Sequence, residues 1–194
     1  GVAAFTTSTG YGIAKYDNPE ELSVSDRNNI GYQYTDCPLY WISVIYLNFA
    51  EAKAEMGSLT QDDLNNSINK LQARAGLPAM TTTPDADPAN NMGVSNLIWE
   101  IRRCRRCELI MDNWYRYWDL IRWHQLDKLD STKYPNTMLG ANVSNVPDCE
   151  EATKNGYIDA SDAQIRTYEA KHYFYPIPTT QLTLNKNMKQ NPGW

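Results

Sequence analysis

The densest collection of reactive side chains runs from Arg105 to Trp123, where Arg105, Arg106 and Glu108 are followed by Trp114, Tyr115, Arg116, Tyr117, Trp118, Asp119, Arg122 and Trp123. Arg116 and Asp119 stand three residues apart, as do Asp119 and Arg122, so on a helix one carboxylate lies between two guanidinium groups. That setting favours the ionised carboxylate, whereas a general acid must hold its proton near neutral pH. Glycoside hydrolysis asks for two carboxyl groups facing each other across roughly 5 to 10 Å, one of them desolvated. Glu51, Glu55, Glu108 and Asp119 qualify by residue type only, because no motif accompanies any of them. His124 and His172 are the only histidines, and the chain has neither a Gly-x-Ser-x-Gly elbow nor a His-Glu-x-x-His helix. Both histidines are expected as surface or half-buried side chains, and a glycosidase is the weakest of the functional readings.

Binding makes better use of the composition. The chain carries 13 Tyr and 6 Trp against 3 Phe, and a flat apolar ring with a polar edge suits stacking on sugars as well as protein interfaces. Tyr11, Tyr16, Tyr32 and Tyr34 fall in loop sequence, where binding residues concentrate, and are the candidate glycan contacts. For Trp114, Trp118 and Trp123 the preferred reading is packing beside the arginines of a helix, with ligand stacking as the alternative. Cys104 and Cys107 have the Cys-x-x-Cys spacing, but a zinc site of this kind needs a second close pair, and Cys37 and Cys149 stand alone. On a helix Cys104 and Cys107 share a face as small hydrophobes, a redox pair or disulfide being the alternative. No metal or other cofactor is expected.

At 194 residues, 42% hydrophobic and 21% charged, the chain lies in the globular range and can bury about 70% of its unfolded surface. It is read as a single domain over residues 1–194. A net charge of −5 argues against a nucleic-acid surface, which draws on clustered unpaired Lys and Arg. The basic run Arg102-Arg103-Cys104-Arg105-Arg106 is flanked by Glu100 and Glu108 and reads as internal ion pairing. The mean hydropathy is negative, and no window approaches the roughly 18 apolar residues that span a bilayer. The opening Gly1-Val2-Ala3-Ala4 has no Met, basic n-region or apolar h-region, so any export signal is expected to lie outside this sequence.

The elements that position these residues are mainly helical. Residues 1–38, with Gly10, Gly12, Pro19, Gly31 and Pro38, read as loop. From Leu39, Ile42, Ile45, Tyr46, Phe49 and Ala50 recur at helical steps, and Gly57 closes the helix. Thr60 and Asp63 form a capping box, after which Leu64, Ile68, Leu71 and Ala75 make one stripe before Gly76 and Pro78. Two helices joined by a short Gly-containing turn predict a tetratricopeptide-like hairpin. A lone hairpin must pack on the rest of this chain or on residues upstream of it. Residues 79–95 read as loop, Ser95 caps a third helix through Leu97, Ile98, Ile101, Cys104 and Leu109, and a fourth runs from about Trp114 to Leu126. Asp127 to Ala170 reads as a loop too long for an ordinary connection, so functional or poorly ordered. Tyr173-Phe174-Tyr175 before two prolines predicts a short extended segment suited to a sheet edge.

Six segments then carry a resemblance: Tyr46-Leu-Asn-Phe-Ala-Glu-Ala52, Leu71-Gln-Ala-Arg-Ala-Gly76, Ile101-Arg-Arg-Cys-Arg-Arg-Cys-Glu-Leu109, Arg116-Tyr-Trp-Asp-Leu-Ile-Arg-Trp123, Tyr175-Pro-Ile-Pro178 and Gln190-Asn-Pro-Gly-Trp194. Their order resembles the C-terminal region of SusD/RagB outer-membrane lipoproteins, which runs through an "AEA" helix, an "R-x-G" turn, an "ERR-x-EL" helix, an "R-x-x-DL-x-RW" helix, "PIP" and a final "QNPG-aromatic". Cys104 stands where that family usually has Glu. Asp112-Asn113-Trp114-Tyr115 replaces its usual Glu-Gly pair, and Tyr40 and Trp41 occupy the place of an Arg that commonly opens the "AEA" helix.

The resemblance implies a helical, tetratricopeptide-like fold without catalytic residues, whose upstream half is absent from this sequence. It implies a lipid anchor outside this chain, a place on the outer face of a Bacteroidetes-type outer membrane, and oligosaccharide delivery to a SusC-like TonB-dependent transporter. Arg105, Glu108, Arg116, Asp119, Arg122, Trp118 and Trp123 would then be ion-pair and aromatic scaffold. The rival readings are a helical interaction scaffold without a sugar site in this region and, behind it, the glycosidase.

Overall fold

The computed structural model describes residues 7–13, 15, 23, 25–26, 39–147, 153–161 and 163–194. Tyr16, Tyr32, Tyr34, Cys37 and Cys149 lie outside the described residues. The chain divides into two compact units, one of Tyr16–Arg116 and one of Gly1–Lys15 with Tyr117–Trp194.

The first unit holds α1 (Ile42–Glu55), α2 (Gln61–Asn65), α3 (Ile68–Arg74) and α4 (Asn96–Glu108). The ends of α1 and α3 are written locally. Gly57 and Gly76 take left-handed φ values of 66° and 69°, which an L side chain adopts only with strain. Around each, the paired bonds of a Schellman cap form: Gly57 to Ala54 and Ser58 to Lys53, Gly76 to Ala73 and Leu77 to Gln72. At the start of α2, Thr60 and Asp63 exchange side-chain and backbone hydrogen bonds as a capping box. Those bonds, the Thr60 amide first, hold the Asp63 carboxyl below its ordinary range.

One continuous second helix was the sequence expectation, and the structure breaks it. Ser67 leaves helical geometry at φ −131°, ψ −98°. Its hydroxyl donates to the Asp63 carbonyl, and the Asn66 side chain donates to the Asp62 carbonyl at 2.9 Å. Short polar side chains that bond the preceding turn compete with the helical ladder.

The core joins Val44, Leu47 and Ala50 of α1 to Leu64, Ile68, Leu71, Met80, Ile101 and Leu109. Met80 is held in place by Asn69, whose side-chain amide accepts from the Met80 N–H at 2.7 Å and donates to its carbonyl at 3.1 Å. The inward face of α1 is therefore Ser43, Val44, Leu47, Ala50 and Glu51. Ile42 and Ile45 are 63% and 59% exposed, and Phe49 is exposed as well. The stripe read from the sequence lies largely on the wrong side. The helix is apolar nearly all round, and polar pairing with α4 selects the face, because Arg102 lies 3.2 Å from both the buried Glu51 and the exposed Glu55.

The second unit contains less regular structure. α5 (Tyr115–Arg122) runs into it from the first. Residues 127–170, expected as loop, include a three-stranded antiparallel sheet of order β1-β3-β2, with β1 at Leu139–Asn142, β2 at Thr153–Lys154 and β3 at Tyr157–Asp159. Asn155 and Gly156, both at positive φ, form the two-residue turn that suits a tight hairpin. The N-terminal segment lies beside β1, where the Ala141 N–H donates to the Thr9 carbonyl at 2.8 Å.

Asp130 pins the loop that follows the sheet. It accepts from the Thr132 hydroxyl and N–H and from the Tyr168 N–H at 3.1 Å. The Thr132 hydroxyl first, then these amides, bring its carboxyl down to about 2.

The short extended C-terminal segment expected from the sequence is present, and it joins no strand among the described residues. Phe174 is extended, and Pro178 caps a further helix, α6 (Thr179–Leu184), because proline's fixed φ is compatible with a helix start. The extended stretch pairs with side chains instead. Gln190 accepts from the Ile177 N–H at 2.8 Å and donates to its carbonyl at 3.0 Å, and Asn191 donates to the Tyr175 carbonyl at 2.6 Å. The Trp194 indole N–H donates to the Phe174 carbonyl at 2.9 Å.

Replacing Leu47, which is fully buried, by Ala should cost about 2–5 kcal/mol in urea unfolding. Ile45→Ala should stay within about 0.5 kcal/mol, whereas equal costs would restore the face read from the sequence. The folded-state value of Asp130 lies below its unfolded value, so its stabilisation is present above the unfolded value and is lost as pH falls through about 2. Unfolding of Asp130→Asn across a pH series should show a deficit near neutrality that shrinks steadily on acidification.

Candidate functional site

The side chains of the motif-rich region separate into a buried polar scaffold and an exposed aromatic surface. In the first unit, Arg105 is buried on α4, donates to the Asn48 side chain at 2.7 Å, and lies 5.8 Å from the Tyr115 ring centre. Glu108 pairs with Arg74 of α3, and Arg103 with Glu100 one turn earlier. In the second unit, Asp119 is buried and accepts from Arg122 Nε at 2.9 Å, while the Arg122 guanidinium lies 4.7 Å from the ring centre of buried Trp123. Arg106 and Arg116 are exposed.

Each of the carboxylates weighed for acid catalysis is engaged by an arginine: Glu51 and Glu55 by Arg102, Glu108 by Arg74 and Asp119 by Arg122. His172 accepts the Glu169 N–H at its Nδ1 at 2.9 Å, and His124 rests 4.9 Å from the Tyr173 ring.

Trp118 and Trp114 depart from the packing expected of them. Trp123 is buried, but Trp118 is 53% and Trp114 80% exposed. Trp114 ends a connection in which Met111, Asn113 and Trp114 all take positive φ, a conformation costly for side chains of this size. Asn113 anchors that connection by donating to the Leu39 carbonyl at 2.7 Å.

Trp118 stands edge-on to Tyr117, with ring centres 5.5 Å apart and planes at 67°. The Tyr117 hydroxyl meets that of Tyr175 at 3.2 Å, and Tyr175 is 68% exposed. Their mutual bond raises the Tyr117 hydroxyl above its ordinary value, so it stays a neutral donor and acceptor. The sequence reading placed Tyr175 in the short extended segment and did not count it among the glycan contacts. The usable signal was the run of three aromatics, Tyr173-Phe174-Tyr175, ahead of Pro176. Of the loop tyrosines proposed for glycan contact, Tyr11 is described. It is 62% exposed, beside the turn at Gly10.

Cys104 packs against the core of the first unit, and burial pushes its thiol up to about 11. Cys107 is exposed, and both thiols are free. Among the described residues no group of His, Cys, Asp and Glu could hold a metal ion, and no helix is long and apolar enough to cross a membrane.

The model of the SusD family matches residues 2–194. This chain belongs to the SusD family. No curated protein matches it. Among solved structures, a SusD-like protein from Bacteroides fragilis NCTC 9343 is 25% identical, with a TM-score of 0.54 over 78% of this chain and 25% of that chain. The chain thus spans a quarter of the length of that SusD-like relative. The six motifs gain structural roles within the SusD-family fold: the "AEA" glutamate is the Arg102 partner, and the closing Gln190 and Asn191 clamp the Tyr175-Pro-Ile-Pro178 segment.

Alkylation of the native protein with iodoacetamide should label Cys107 fast and Cys104 only on unfolding, since a buried thiol forms little thiolate. Peptide mass spectrometry resolves the two, and equal labelling would contradict the burial of Cys104.

Proposed function

We propose that this chain takes part in non-catalytic capture of oligosaccharides at a bacterial cell surface, for delivery to a SusC-like TonB-dependent transporter. The full-length protein would be held at the outer membrane by a lipid anchor outside this sequence. The observation that carries this reading is the SusD-family match along residues 2–194. Two features support it. Tyr11, Trp118 and Tyr175 keep rings in solvent, where stacking on a sugar would recover their exposed area. The carboxylates weighed for hydrolysis are each taken up in ion pairs with arginines of the scaffold.

A second reading, a helical interaction scaffold with no sugar site in this region, is favoured by one observation. Ile42, Ile45, Phe49 and Met56 of α1 and its C-cap are exposed at a spacing close to a heptad. That reading has the chain pairing with a second copy through this face.

Isothermal titration of the chain against a panel of plant, host and microbial glycans should give saturable binding without release of reducing sugar. Tyr11→Ala should weaken it, and an unchanged affinity would remove Tyr11 from the site. Silence across the panel, together with self-association in light scattering that Phe49→Glu abolishes, would favour the scaffold instead.

A further inference from the structure

Two exposed surfaces carry large side chains, and their chemistry differs. The outward face of α1 presents Ile42, Ile45 and Phe49, none with a polar edge. The surface made by α5 and the segment before α6 presents Tyr117, Trp118 and Tyr175, each with a flat ring and a hydrogen-bonding group at its rim. A pyranose has the same division: carbon-bound hydrogens on its faces, hydroxyl donors and acceptors around its edge. Aliphatic side chains meet only the first requirement.

The second surface is also held in place without being buried. Tyr117 and Trp118 are neighbours on α5, one turn before the buried Leu120 and Trp123 that fix that helix in its unit. Tyr175 is tied at two points, through its hydroxyl to Tyr117 at 3.2 Å and through its carbonyl to Asn191 at 2.6 Å. The Trp118 ring meets Tyr117 edge-on, with centres 5.5 Å apart. Rings fixed before a ligand arrives lose little conformational freedom on binding, which is how a small surface reaches useful affinity. The bond between the two hydroxyls uses one of their two protons, so one O–H donor and several lone pairs remain. The Trp118 indole N–H has no hydrogen-bond partner among the described residues.

We propose that Trp118, Tyr117 and Tyr175 form a stacking subsite for one pyranose ring of a neutral oligosaccharide, the Trp118 indole taking the face of the sugar and the paired tyrosine hydroxyls its edge. This rests on the glycan-capture reading and adds to it a second contact surface on the C-terminal scaffold. Trp114 supplies the internal comparison. It is more exposed than Trp118, yet none of the ring contacts among the described residues involves it.

The test titrates the chain with maltoheptaose, cellohexaose, xylohexaose and mannohexaose, then repeats the best binder with Trp118→Ala, Tyr175→Phe and Trp114→Ala. Trp118→Ala should weaken binding about tenfold or more, as loss of a stacked ring does. Tyr175→Phe should weaken it about threefold through one lost hydrogen bond. Trp114→Ala should leave Kd unchanged, and all three should keep the wild-type melting temperature. The indole N–H resonance that disappears in Trp118→Phe should move during titration of the wild type. Binding that Trp118→Ala and Tyr175→Phe leave intact overturns the subsite while the capture reading stands. Absence of binding by the wild type to every glycan, here and in the wider panel, overturns both.

Discussion

The arrangement of the first unit depends on the pair between Glu51 and Arg102. α1 has apolar residues on nearly every side, so burial alone gives no strong preference for one face. A carboxylate that enters the interior needs a cation with it, or it pays a desolvation penalty of several kcal/mol. Arg102 on α4 provides that cation and reaches Glu55 as well. Turning α1 to bury Ile45 and Phe49 would separate these charges, leaving Arg102 facing an apolar surface. With α1 and α4 locked, the remaining polar contacts follow. Arg105 comes within reach of Asn48 and Tyr115, and Glu108 within reach of Arg74 on α3. The arginine run that reads as chemistry in one dimension is mostly a set of cross-braces.

The second unit is held by another means. Among its described residues the buried apolar side chains are Leu120, Trp123, Leu126 and Ile158. Side-chain amides and carboxylates bond to the backbone in place of a large core. Asp130 gathers the amides of Thr132 and Tyr168, and Gln190 completes both hydrogen bonds of Ile177 as a neighbouring strand would. Such bonds are local and saturating, so they fix a chain path without demanding that nearby aromatic rings be buried. This allows Tyr175 to be rigid in its backbone and exposed in its ring. A fixed backbone carrying exposed rings is the pre-organised kind of surface that recognition favours.

Much of the fold was legible in the sequence where the signal is contained within a few residues. Gly57 and Gly76 end helices, Thr60 and Asp63 start one, and Ser95 starts another by accepting from the Ile98 N–H. Asn155-Gly156 marks its hairpin by the same logic, and reading residues 127–170 as loop passed over it. The break at Ser67 was harder to see, because a helical stripe and a side chain that bonds back to the preceding turn compete, and the stripe was given priority. Of the glycan candidates, Tyr11 could be identified as loop, but nothing local distinguished Trp118 on α5 from Trp123 just past its end.

What the sequence by itself determined was therefore the family, the helical class and the places where elements begin and end, since caps, turns and motif order depend on neighbours a few residues apart. Only the tertiary structure decided which faces turn inward and which rings stay in solvent. Those outcomes depend on partners far away in the chain: Arg102 for Glu51, Tyr175 for Tyr117, Asn191 for Tyr175. The stretch from Arg105 to Trp123 contains both kinds of information. Its composition identifies the SusD family, and its three-dimensional surroundings divide it into buried braces and an exposed aromatic surface.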